Sequence, residues 1–188
     1  VLDKSEPKYM NTPETLTYSK RRILYGMNLA KKSKRSNIIL CEGNLDVVTL
    51  HQAGFDNAVA SMGTALTQEQ LRLLSRYTKE LVLCYDNDNA GQQATRRALE
   101  LLNNSEFSVK VLQLPRRLVD GEYIKQDADD FIKLQGPAAF ERLLTGSENG
   151  VEFRLDQIAG KYDLTDDTQR IAYAQEVSEE LAKLENAV

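Results

Sequence analysis

Three pairs of acidic residues stand out by type and spacing: Glu42 with Asp46, Asp86 with Asp88, and Asp127 with Asp129. Asp86 and Asp88 follow an apolar run, Leu81-Val82-Leu83-Cys84-Tyr85, and being two apart they project to the same side of an extended backbone. Carboxylates that close repel unless a cation lies between them or a proton is taken up. Glu42 and Asp46 are four apart, which a turn and the first residues of a helix bring to one face, and Gly43 between them allows a close backbone approach. Asp127 and Asp129 lead into an apolar-periodic stretch, where acids also serve as N-cap and first-turn residues. Hard oxygen ligands select Mg²⁺ or Mn²⁺, and Mg²⁺ is usually held by a few carboxylates together with substrate phosphates. The chemistry these residues could do is therefore metal-assisted and directed at phosphate.

A calcium loop is the first rival, because Asp86-Asn87-Asp88-Asn89-Ala90-Gly91 opens like D-x-[DN]-x-[DN]-G. Ala90 at the fifth position, Arg97 at the twelfth and an apolar strand pattern in front all break that motif.

The elements that must position these acids alternate in type. Ile38–Cys41 reads as a buried strand ending at Glu42, and Leu45–Ala53 as a short helix closed by Gly54. Asn57–Ser61 is a second strand, and Thr67 opens a helix with Gln70 in the partner position of a capping box. Leu81–Tyr85 is the third strand, Asn89–Leu102 a long helix, and Val109–Leu114 a fourth strand before Pro115. Strand and helix alternating at this spacing predict right-handed βαβ units and a parallel sheet, whose chemistry lies beyond the carboxyl ends of the strands. Upstream, Asn11-Thr12-Pro13-Glu14 and the apolar spacing of Ile23, Leu24, Met27 and Leu29 predict a helix over about 19–32. Downstream, Arg116–Gln126 reads as a long polar loop, Asp127–Leu134 and Pro137–Leu144 as short helices, and Gly146–Gly150 as a linker. Two amphipathic helices follow, Val151–Ile158 and Thr168–Leu184, the second capped by Thr165 or Asp166.

The net charge of −4 conceals an asymmetry. Residues 1–36 carry nine Lys or Arg against three acids, whereas residues 37–188 carry fifteen against twenty-five. A basic leading segment suits phosphates, and the acidic body suits metal. No run approaches the ~18 apolar residues of a membrane span, and the N-terminus lacks the apolar core of a signal peptide. Cys41 and Cys84 each close an apolar run and read as a reduced, buried cytosolic pair; with only His51 to join them, they make a poor metal set. His51 on its short helix reads as a surface or packing residue, and Arg96 and Arg97 as a solvated helix face.

Taken in order, these motifs resemble the Toprim fold and, within it, the catalytic core of bacterial DNA primase of the DnaG type. The Toprim pattern of a Glu after the first strand and an Asp-x-Asp after the third is met by Glu42, Asp86 and Asp88. Primase-like stretches include Pro7–Thr15, Glu42-Gly43-Asn44-Leu45-Asp46-Val47-Val48, Ala58–Ala65, Cys84–Gly91 and the Asp127-Ala128-Asp129 pair. The sequence departs from the family at Asn44-Leu45, Asn87 and Ala128, and in a longer Arg116–Gln126 loop.

The resemblance implies a four-stranded, mainly parallel sheet flanked by helices. It divides the chain into a basic segment over 1–35, a Toprim domain over 36–146 and a helical subdomain over 147–188. It further implies a metal-dependent, DNA-directed RNA polymerase, cytoplasmic, making primers from ribonucleoside triphosphates on a single-stranded DNA template. Glu42, Asp86 and Asp88 would be catalytic. Mg²⁺ or Mn²⁺ would be held by Glu42, Asp46, Asp86, Asp88, Asp127 and Asp129. Lys8, Tyr9, Asn11 and Lys20 would face the template and the nucleotide, with Tyr9 able to stack on a base.

The chain begins without methionine and reads as a piece of a longer protein. No zinc module is evident, and the resemblance places contact with the replicative helicase on a domain outside these residues. The fragment is therefore expected to bind metal without synthesising primers unaided. The same carboxylates would also serve a Toprim nuclease or topoisomerase, and a recombination-mediator Toprim module would use the fold as a DNA-binding scaffold.

Overall fold

Side chains alternate across the buried strands and divide the core into two layers, one on each face of the sheet. The structure, a computed structural model, describes residues 13–16, 18–62, 65–103, 105–119 and 122–185. Along the chain run α1 (Met27–Ala30), β1 (Asn37–Cys41), α2 (Asn44–Gln52), β2 (Ala58–Ala60), α3 (Gln68–Leu74), β3 (Glu80–Cys84), α4 (Asn89–Leu102), β4 (Ser108–Val111), β5 (Arg117–Val119), β6 (Glu122–Ile124), α5 (Ala128–Gln135), α6 (Pro137–Thr145), β7 (Glu148–Asn149), α7 (Gly150–Ala159) and α8 (Asp167–Glu185).

The sheet order is β2-β1-β3-β4-β7, with the first four strands parallel as expected and β7 pairing antiparallel to β4. Ile38, Leu40, Leu81 and Leu83 point to one face and pack with α3, α4 and Phe153 of α7. Ile39, Cys41, Val82 and Cys84 point to the other and pack with Val47 and Leu50 of α2 and with Phe131 and Phe140 of α5 and α6. Phe140 is fully buried, with ring centroids 4.8 Å from Phe55 and 6.1 Å from Phe131 in edge-to-face geometry. A sheet walled on both faces has only its strand ends left open, and the acids lie there.

The caps follow the sequence. Thr67 and Gln70 form the expected capping box on α3, and Asp166 rather than Thr165 accepts from the α8 amide of Gln169 at 2.9 Å. Three elements differ from expectation. The helix predicted over about 19–32 shrinks to α1, because Tyr25 pairs with Ala60 on the sheet edge and Gly26 takes φ 80°. The carbonyls of Lys20 and Ile23 are instead satisfied by Gln70 Nε2, at 3.0 and 2.9 Å. The Arg116–Gln126 loop folds into the antiparallel β5–β6 hairpin, and the Gly146–Gly150 linker contributes β7. Among the described residues, no helix is long and apolar enough to cross a membrane.

Candidate metal centre

β1 and β3 are parallel neighbours with Cys41 opposite Cys84, so the residues that follow them leave the sheet at the same edge. Glu42 emerges from β1, and Asp86 and Asp88 emerge from β3. Asp88 then caps α4, accepting from Gly91 N at 2.9 Å. Gly91 is required here: a Cβ at this position would lie 2.0 Å from the Asp86 carbonyl oxygen. Asn87 Nδ2 donates to the Leu114 carbonyl at 2.9 Å and fixes the segment between the two aspartates.

Asp46 is buried in the first turn of α2 and joins the two halves of the site. Its Oδ2 accepts from Gly43 N at 3.1 Å, and its Oδ1 accepts from Asp129 N at 3.2 Å. The N-terminus of α5 is thereby tied to the turn after β1. Asp127 caps α5, accepting from Asp130 N at 2.8 Å, while Asp129 accepts from Thr49 Oγ1 and pairs with Lys133 Nζ at 2.6 Å. Asp127, Asp129 and Asp130 each bring a carboxylate oxygen within 4.8 Å of the others, the one such acidic triad among the described residues and a fit for a hard divalent cation.

Charge is handled differently in each part of the site. Burial pushes the Glu42 carboxyl up to about 7, helped by the negative charge of Asp86 and opposed by an Asp86 backbone N–H. Burial also pushes Asp46 up to about 6, and Asp127 adds repulsion, against the Asp129 and Gly43 amides. Asp88 goes the other way: the Gly91 amide holds its carboxyl below the usual range against burial, with help from Lys125. Burial opposes ionisation of Asp129 as well, but hydrogen bonds from Lys133 and Thr49 outweigh it and lower its pKa. Glu42 Oε1 is buried without a hydrogen-bond partner, and a cavity of about 310 Å³, also lined by Ser61, Tyr85 and Arg97, reaches this carboxyl. An orphaned carboxylate oxygen beside further carboxylates fits a divalent cation, which would give it a partner.

Sequence reasoning missed Lys125. Its Nζ lies 3.1 Å from Asp86 Oδ2 and 3.1 Å from Asp88 Oδ2, and these hydrogen bonds, Asp86 first, raise its pKa. It also missed the Asp130 member of the triad and the Thr49 and Lys133 partners of Asp129. A cation two residues before Asp127 was visible in the sequence; that it reaches back to Asp86 was not. Of the residues expected to face nucleic acid, Lys20 is half-buried against α3, and Lys8, Tyr9 and Asn11 lie outside the described residues.

Residues 39–132 match the "Toprim-like" family, residues 1–31 the "DNA primase catalytic core, N-terminal domain", and residues 151–188 the "DnaB-helicase binding domain of primase". The last match corrects the expectation that helicase-related sequence lies wholly outside the chain. The sequence of α7 and α8 carries no motif by which that could be read.

The DNA primase of Clostridium acetobutylicum is 39% identical over 186 residues, covering 98% of this chain and 30% of that protein. The DNA primase of Enterococcus faecalis is 37% identical, covering 96% and 28%. The chain thus spans under a third of the length of these relatives. Among solved structures, the E. coli primase catalytic core superposes with a TM-score of 0.76 at 32% identity, covering 98% of this chain and 58% of that one. The RNA polymerase domain of Mycobacterium tuberculosis primase in complex with double-stranded DNA gives 0.78 at 32% identity, covering 97% and 57%. The sheet order, the acids at its open edge and these likenesses agree: the chain belongs to the Toprim-like family, within the bacterial DNA primases of the DnaG type.

Proposed function

We propose that this chain is the catalytic Toprim segment of a primase that builds short RNA primers on single-stranded DNA from ribonucleoside triphosphates. The observation that carries the reading is the convergence of Glu42, Asp86 and Asp88 on one sheet edge, with Asp46 tying the Asp127–Asp129–Asp130 triad to the turn after Glu42. The primase relatives support it and give no support to the nuclease, topoisomerase or scaffold alternatives.

In the reaction, the primer 3′ oxygen bonds to the α-phosphorus of the incoming nucleotide. The bond from that phosphorus to the bridging oxygen breaks, pyrophosphate leaves, and the hydroxyl proton passes to a base. Glu42, Asp46, Asp86, Asp88, Asp127 and Asp129 would hold Mg²⁺ or Mn²⁺. When bound, the metal supplies charge neutralisation at the attacking and leaving oxygens. Glu42, pushed up to about 7, can take up or release a proton near neutral pH, and a cavity lies beside it. Asp46 orients the α2 and α5 turns through its two amide bonds.

Lys8, Tyr9, Asn11 and Lys20 would contact template and nucleotide phosphates, so affinity falls with salt. The matches to 1–31, 39–132 and 151–188 support a division into a basic segment (1–35), a Toprim domain (36–146) and a helical subdomain (147–188). The last of these would be part of what the replicative helicase meets, and the work is cytoplasmic, at the replicating chromosome.

Primer synthesis by the full-length protein on a single-stranded template tests the reading. Glu42→Gln and Asp86→Asn should each lower the rate by at least about 10²-fold, the scale of one essential acid–base or charge-stabilising group. Undiminished synthesis by either variant overturns the site. The 188 residues alone should bind Mn²⁺ and make no primer; template-directed synthesis by them would refute that part.

A further inference from the structure

Lys125 sits where a cation must sit. The residue directly follows β6, and Gln126 after it is buried, so its backbone is anchored between the hairpin and the Asp127 cap of α5. From that anchor the ammonium meets the Oδ2 atoms of Asp86 and Asp88 at an equal 3.1 Å. Those oxygens belong to the two aspartates that β3 delivers to the open edge of the sheet, the place assigned above to divalent metal. An ammonium at that point and a divalent cation on the same two oxygens exclude each other by charge and by space.

We infer that Lys125, carried on the β5–β6 hairpin, is a resident counter-cation of Asp86 and Asp88 that divalent metal must displace, and so sets the metal concentration at which the site fills. The inference rests on the metal reading of Asp86 and Asp88. Without metal, Lys125 relieves the repulsion between the two aspartates and keeps the strand end ordered. When metal arrives, the ammonium is released on a side chain that is 57% exposed, free to turn to solvent or to an anion near the metal.

Mn²⁺ binding to the 188-residue chain, followed by calorimetric titration without nucleotide, tests the inference. Breaking two partly exposed ion pairs costs the incoming metal about 0.4–2 kcal/mol, so Lys125→Met should tighten Mn²⁺ binding about two- to thirtyfold. Lys125→Arg should stay near the parent value. Lys79→Ala removes one positive charge at the opposite end of β3, where Lys79 pairs with Glu106, and should leave affinity unchanged. In EDTA, Lys125→Met should melt below the parent, and saturating Mn²⁺ should raise its Tm by more than it raises the parent's. Equal or weaker Mn²⁺ binding by Lys125→Met overturns the inference, as does equal tightening by Lys79→Ala. Asp86→Asn separates the two levels: if it loses Mn²⁺ while Lys125→Met matches the parent, the inference alone fails. If Asp86→Asn binds Mn²⁺ like the parent, the metal reading fails and the inference with it.

Discussion

Glu42→Gln should stabilise the metal-free protein at pH 8 relative to pH 5, and the size of that difference follows from the site. The Glu42 carboxyl is pushed from 4.5 to about 7 by burial first and by Asp86 second. A group whose folded pKa lies above its unfolded one binds protons more tightly in the native state, so its contribution to stability is complete below about 4.5 and is lost as pH rises through about 7. At pH 5 most of that contribution remains; at pH 8 the ionised, buried carboxylate bears the full penalty. A shift of this size corresponds to at most about 3.4 kcal/mol at 1.36 kcal/mol per unit. Because Glu42 is only half-buried and its field is partly screened, about 1–2 kcal/mol of it should be seen between pH 5 and pH 8. Gln has the same shape and no charge, so any cost of the amide itself is independent of pH and cancels in the difference. The assay is urea denaturation of parent and Glu42→Gln at both pH values in EDTA. For a chain of this length the same gap appears as roughly 2–8 °C in Tm. A stability difference between parent and variant that is the same at both pH values would refute the electrostatic account of Glu42. A larger advantage for the variant at pH 5 would reverse its sign.

Three further substitutions test the frame of the fold. Gly91→Ala drives a methyl onto the Asp86 carbonyl and should cost about 1–3 kcal/mol in urea denaturation while weakening Mn²⁺ binding. Gly160→Ala, at φ −65° with its nearest contact at 3.6 Å, should be neutral or stabilising by up to about 1 kcal/mol. Phe140→Ala empties the edge-to-face cluster with Phe55 and Phe131 and should cost about 3–5 kcal/mol by the same measurement. A loss under about 1 kcal/mol would show that this face of the sheet is not packed as described.

The sheet was legible because buried strands announce themselves. Ile38–Cys41 and Leu81–Cys84 are unbroken apolar runs, and the bounds of α4 at Asn89 and Leu102 coincide with the reading. The acids were legible for the same reason, since each stands one or two residues past a strand or at a helix start, where spacing along the chain fixes position in space. What failed needed tertiary information. Tyr25 leaves helical spacing to pair with Ala60, and nothing near Tyr25 says so. The β5–β6 hairpin did carry a local signal, the Asp120-Gly121 dipeptide between two three-residue strands, but the strands are too short to show alternation. Lys125 lies 39 residues from Asp86, and its partnership exists only because the hairpin returns the chain to the sheet edge.

The site balances its negative charge by two means, and the division is spatial. Asp86 and Asp88 share Lys125, and Asp129 has Lys133, so each of these carboxylates has a cation beside it. Glu42 and Asp46 have no ion pair among the described residues and are more buried; their relief is the proton, and both carboxyls are raised toward neutrality. A divalent cation approaching this edge would meet ion-paired carboxylates on the side of β3 and α5 and carboxyls of raised proton affinity on the side of β1 and α2. Metal held by Asp86 and Asp88 would displace the Lys125 ammonium, whose side chain is exposed and free to turn to solvent. The metal's positive charge would also lower the pKa of Glu42 and favour loss of that proton. Metal affinity should consequently rise with pH between about 6 and 8 in the parent protein. In Glu42→Gln that slope should flatten, because the variant has no proton to release at that position.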